Sequence, residues 1–154
     1  MVSSQFGALL KGFEPFFNCP LEPDANDSCL IKMGIGITVQ VELDRSGQLL
    51  IGCRIAALPM NRYRNNLIQE ALKSNEASLP STGIFGFSQK SNHLILFMTL
   101  SLDLMPNQIL DVLPSFITKA KQWTDAIAKG ETPTVQPTNS DDTPSGLFGL
   151  ISNQ

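Results

Sequence analysis

From Leu94 to Leu102 the chain reads LILFMTLSL, nine residues without a charge. A helix needs about 20 apolar residues to cross hydrocarbon, so the run is too short for a membrane span. It reads instead as a strand greasy on both faces. Leu94, Leu96, Met98, Leu100 and Leu102 share one side, and Ile95, Phe97, Thr99 and Ser101 share the other. A second run, QLLIGCRIAAL from Gln48 to Leu58, is apolar at almost every position, with Arg54 as its one charge. Strands of this kind want cover on both faces, which places them inside a sheet.

Around these runs the period of the apolar residues changes from segment to segment. After Ser3 or Ser4, either a suitable N-cap, the positions Phe6, Leu9, Leu10, Phe13, Phe16 and Phe17 recur at helical steps, with Pro15 expected to end or bend the helix. NCPLEPDANDS reads as a loop. From Cys29 to Leu43 the period is two, and DRSG, Asp44–Gly47, makes a hairpin turn into the central strand. Pro59 closes that strand. Asn61 can cap a helix in which Tyr63, Leu67, Ile68, Ala71 and Leu72 form one face. After EASLPST comes a short glycine-interrupted strand, GIFGF, followed by the opening run. The last and longest helical pattern runs from Ile109 to Ile127 and stops at Gly130. Pro114 inside it marks either a kink or the first turn of a helix capped by Asp111.

The order is αβββαββα, which predicts an α+β sandwich with a mostly antiparallel, twisted sheet packed against helices. One domain is expected over 1–130. Residues 131–154 turn to Thr, Pro, Asn, Ser and Asp and predict a disordered tail that carries one apolar patch, GLFGLIS at Gly146–Ser152.

Composition narrows the function. The net charge of −3 offers no basic stripe for phosphates or anionic lipid, which argues against nucleic-acid partners and membrane insertion. The first residues lack a basic segment followed by an unbroken apolar run, so a cytoplasmic protein is expected. Cys19, Cys29 and Cys53 are odd in number and far apart, as reduced thiols are, and the single His93 cannot complete a zinc site with them. His93 has no nucleophile signature beside it and reads as a residue that starts a strand. MGIGI, Met33–Ile37, lacks the third glycine of a dinucleotide cradle and reads as a bulge or tight turn. No enzyme, cofactor or metal is expected. Three helices of these lengths cover only one side of a sheet, so the apolar excess calls for another chain. A small-molecule-binding or enzymatic α+β domain, with a pocket on the apolar sheet near His93, is the alternative.

The joint order of Leu58-Pro59, Arg64 with Leu67, Asn75, Gly83, Gly86 and Trp123 resembles the class I type III secretion chaperones, the Tir-chaperone or CesT-like family, over about residues 5 to 130. Trp123 to Pro133, W...I.KGE.P, is further similar to the chlamydial members. The resemblance implies a small bacterial cytoplasmic dimer without ATPase activity. Such a dimer holds the chaperone-binding segment of a secreted effector or regulator partly extended and hands it to secretion-apparatus components. It implies a homodimer, or a heterodimer with another chaperone subunit, whose interface uses Tyr63, Leu67, Ile68, Ala71, Leu72, Phe85 and Phe87. It implies effector contacts at Phe6, Leu9 and Phe13 and on the exposed strand residues Ile95 and Phe97, often with strand addition. On that assignment Leu67→Asp breaks the dimer, and Phe13→Asp spares the dimer but weakens client binding.

Overall fold

The computed structural model describes residues 4–77, 83–103 and 106–133. Its elements are α1 (Ser4–Phe17), β1 (Ser28–Met33), β2 (Ile37–Leu43), β3 (Gln48–Ala57), α2 (Arg62–Ala77), β4 (Ile84–Ser88), β5 (His93–Ser101) and α3 (Pro106–Ala128). The order matches the one predicted. The strands form one antiparallel sheet in the order β1-β2-β3-β5-β4, with the two-sided strand β3 at its centre and β5 beside it.

Local chemistry sets the element ends. In the β2–β3 turn, Asp44 Oδ1 accepts from the amides of Ser46 (2.8 Å) and Gln48 (2.9 Å) and from the Ser46 hydroxyl (2.6 Å), while Gly47 takes φ +84°. These bonds, the Ser46 hydroxyl first, hold the Asp44 carboxyl below the usual range. Asn61 caps α2 as its sequence suggests, its side-chain oxygen accepting the Tyr63 amide at 3.0 Å. Helix α3 closes in a Schellman motif. Gly130, at φ +73°, donates to Ile127 (3.0 Å), and Glu131 donates to Ala126 (2.8 Å).

Neither internal proline breaks its helix. Pro15 lies in the last turn of α1, where only one intrahelical bond is lost, and the helix continues to Phe17 before Asn18 caps it at φ +54°. Pro114 sits inside α3, which runs unbroken from Pro106, so the helix does not start at an Asp111 cap. Ile35 lies in the tight turn of MGIGI, where Gly36 donates to Met33 at 3.3 Å, and not in a strand.

The core lies between one sheet face and the helices. Phe6, Leu9, Leu10 and Phe13 of α1 and Ile109, Leu113, Phe116, Ala120 and Trp123 of α3 are buried. They face the alternate residues Ile31, Val39, Val41, Leu49, Ile51, Cys53, Leu96 and Met98, which are buried too. The all-aliphatic side of β5 therefore faces the core, and its mixed side, with Ile95 and Phe97, faces away. Burial pushes the Cys53 thiol up to about 11 and raises Cys29 as well.

Candidate functional site

Among the described residues nothing covers the sheet face turned away from the helices. Register places Leu30, Gln40, Gly52, Phe97 and Ile84 in one row across all five strands. Leu30 is 65% exposed and Ile84 38% exposed, while Phe97 is half-buried. The missing side chain at Gly52 deepens the middle of the row, because nothing approaches within 3.9 Å of where a Cβ would stand. The ring of Phe97 lies over Gly86, whose Cβ would meet it at 3.1 Å. The result is an open groove of about 800 Å³ lined by Leu30, Leu50, Gly52, Ile95 and Phe97, with Arg54 at its margin. Gln40 and Glu42 supply a polar flank, joined by a 3.2 Å hydrogen bond.

The two sheet edges differ. At the β4 edge, the Asn75 carboxamide on α2 bonds the Phe85 backbone in both directions. At the β1 edge, Asp24 bonds only the first strand residue, Ser28: Oδ1 accepts the Ser28 amide (3.0 Å) beside that of Asn26 (2.8 Å), and the Asp24 amide donates to the Ser28 carbonyl (2.8 Å). Among the described residues no strand pairs with the outer side of β1, and the exposed Leu30 stands on it.

Of the residues expected to touch an effector, Ile95 and Phe97 lie together in the groove. Phe6, Leu9 and Phe13 do not join them. They are 0%, 7% and 0% exposed and form the contact of α1 with the core, so they offer no surface in this chain. Four of the six stripe positions of α1, Phe6, Leu9, Leu10 and Phe13, are used up by its own core, while Phe16 stays 40% exposed.

The residues expected at a dimer interface divide in the same way. Leu67, Ala71 and Phe85 point inward, whereas Tyr63, Ile68 and Phe87 are half-buried and Leu72 is 62% exposed. Leu67 and Phe13 are fully buried in this chain, so an aspartate at either would act on the fold. The Arg64 guanidinium lies 4.8 Å from the centre of the Phe87 ring, a cation–π contact at the outer side of α2. The Tyr63 hydroxyl donates to the Glu131 carbonyl and ties the chain after α3 to α2.

His93 bonds the Ser91 carbonyl through Nδ1 at 2.7 Å and does not line the groove. The pocket expected beside it is thus centred elsewhere, over Gly52. Among the described residues no group of three His, Cys, Asp or Glu side chains could hold a metal ion, and no helix is long and apolar enough to cross a membrane. Leu30 and Leu50 complete the groove without having been singled out in the sequence. Their signal was an apolar residue on the solvent phase of a strand.

The motif residues build the β4 side of the domain. Gly83 takes φ +96°, and a Cβ there would meet Phe116 at 2.9 Å and Leu96 at 3.0 Å. Phe85 stacks on Trp123 with centroids 4.3 Å apart. Lys119 reaches the Gly83 carbonyl (3.1 Å) over the Phe85 ring, and burial lowers its pKa. Leu58 donates to the Asn92 carbonyl (3.0 Å), and its own carbonyl accepts from the Asn92 side chain (2.7 Å).

Solved structures share this fold. The Yersinia pestis type III secretion chaperone SycH, solved with a stable fragment of YscM2, superposes with a TM-score of 0.60 at 18% identity, over 77% of this chain and 98% of that one. The ExsC–ExsE complex matches with a TM-score of 0.62 at 17% identity, over 81% and 96%. The ExoT–SpcS complex of Pseudomonas aeruginosa matches with a TM-score of 0.60 at 17% identity, over 79% and 98%. At these identities the likeness is one of fold. Among curated proteins none is a significant sequence match. The sequence model of the Tir chaperone protein family matches residues 8–124, most of the 154-residue chain, so this chain belongs to the Tir chaperone protein (CesT) family.

Proposed function

We propose that this protein is a cytoplasmic type III secretion chaperone that binds an extended segment of a secreted effector or regulator and performs no chemistry on it. The observation that carries this reading is the uncovered sheet face, where a five-strand row ends in two exposed aliphatic residues and dips over Gly52. A polypeptide suits such a face. Main-chain bonds to the β1 edge give affinity with little sequence demand, and the groove selects an apolar side chain. Family membership and the chaperone complexes among the structural matches support the same reading.

The chaperone unit spans 1–130, with 131–154 as an appendage; its residues beyond Pro133 lie outside those described. Pairing, with a second copy or a related subunit, uses the outer side of α2 and β4: Tyr63, Ile68, Leu72 and Phe87. Ile95 and Phe97, with Leu30 and Leu50, hold the client. Co-expression with secreted proteins encoded nearby tests the reading. A client that co-purifies and needs this protein for export is the expected result, and normal export in a deletion strain with no co-purifying protein overturns it.

A further inference from the structure

The groove has a candidate occupant within the same sequence. Beyond Pro133 the chain, Val135 and prolines apart, is polar as far as Gly146 and then reads GLFGLI, residues 146–151. Thirteen residues, 134–146, reach up to about 43 Å when extended. That exceeds the about 40 Å breadth of a domain of this size. The Tyr63–Glu131 bond fixes the start of this tether beside α2, which packs against β4.

Length and charge both match. The row from Leu30 to Ile84 crosses four strand spacings, about 19 Å, and a six-residue extended segment such as GLFGLI spans about 20 Å. Asp141 and Asp142 lie just before it in sequence, while Lys32 and Arg54 are exposed cations on the open face, on β1 and β3. The tail thus carries an acidic pair followed by an apolar strip, and the face carries two basic groups against one acid, Glu42, beside an apolar row.

We propose that residues 146–151 dock on this chain's own open sheet face and occupy the groove until a client displaces them. The inference rests on the reading of that face as the client site and adds a regulator to it. A tether of this length holds the segment at millimolar effective concentration, so weak intrinsic binding suffices for occupancy. If docking leaves the groove free about one-fifth of the time, abolishing it tightens client binding about fivefold.

Methyl NMR on the full chain tests this without a client. The expected result is that Phe148→Asp shifts the methyl resonances of Ile84 and Ile95, leaves those of the buried Ile51 and Leu113 in place, and raises client affinity about fivefold. Unmoved Ile84 and Ile95 resonances overturn the proposal. So does recovery of the wild-type positions when the labelled Phe148→Asp chain is mixed with excess unlabelled wild type, because the segment then comes from a second copy. The two readings fail separately. Methyl shifts in a protein that binds no secreted protein leave docking standing without the chaperone role, whereas client binding with unmoved methyls leaves the chaperone role without docking.

Discussion

The Asn75 carboxamide donates to the Phe85 carbonyl at 2.9 Å and accepts the Phe85 amide at 2.7 Å, so one side chain takes the place of a neighbouring strand at the β4 edge. An unpaired edge invites another chain, and this pair closes it at the residue that also stacks on Trp123. Asn75→Ala strands both backbone groups. It should lower stability by about 2 kcal/mol in urea unfolding and increase self-association at high concentration, measured by light scattering. Stability within about 0.5 kcal/mol of wild type would show that water replaces the pair without cost.

Gly83 combines positive φ with a wall of side chains, so its replacement is penalised twice. Gly83→Ala should cost about 2 to 4 kcal/mol, from backbone strain and from overpacking against Phe116 and Leu96. Gly7, inside α1, has nothing within 4 Å of its Cβ position. Gly7→Ala should therefore raise stability by up to about 1 kcal/mol. Thermal unfolding of the two variants checks both signs.

The order of elements was legible because each segment carries one clear period: two across β1 and β2, helical across α1, α2 and α3. The open face was legible too, since two strands are apolar on both faces while three helices of these lengths cover only one side of a sheet. What α1 touches was not. Phe6, Leu9 and Phe13 form an apolar stripe that looks the same whether it covers the home sheet or a client, and only the packing in three dimensions assigns it to the core. The stripe of α2 likewise splits within one turn: Leu67 and Ala71 turn inward, and Leu72 turns out. Leu30 escaped notice because it is the one apolar residue on the outward side of β1, and register alone joins it with Ile84 into a row.

Cys53 links stability to alkaline pH. Its thiol, about 9.0 in the unfolded chain, is pushed up to about 11 by burial, so the folded state keeps a proton that the unfolded state releases. The stabilisation is fully present below pH 9 and is lost as pH rises from 9 through 11. Cys53→Ala should flatten this part of the pH profile, which otherwise falls by up to about 3 kcal/mol. Denaturant titrations at pH 8.5 and 10.5 on both proteins make the comparison. The native protein should also show Cys19, half-buried, reacting with thiol reagents well before Cys53.

Leu72 probes pairing without touching the core. At 62% exposure, Leu72→Asp should leave the fold of the single chain intact and lower the unfolding midpoint only by what pairing adds, yet it places a charge in any dry interface built on the outer side of α2. Sedimentation should then report a single chain where wild type reports two. Leu67→Asp, fully buried, should instead unfold the protein. An unchanged mass for Leu72→Asp would move the interface away from this helix.

The client site is tested by the contrast between two phenylalanines. Phe97 lies half-buried on the open face over Gly86, and among the described residues no helix lies above it, so Phe97→Asp should fold and pair normally. A charge in the middle of the groove removes an aromatic anchor from its centre, and client affinity should fall at least about 30-fold, or 2 kcal/mol. Phe13 is wholly enclosed by its own domain, and Phe13→Asp should cost about 4 kcal/mol or more of stability and lose client binding only through unfolding. Circular dichroism beside client pull-down separates these outcomes. A folded Phe97→Asp protein that binds its client as wild type does would place the client on another surface. A folded Phe13→Asp protein with weakened binding would return the client to α1.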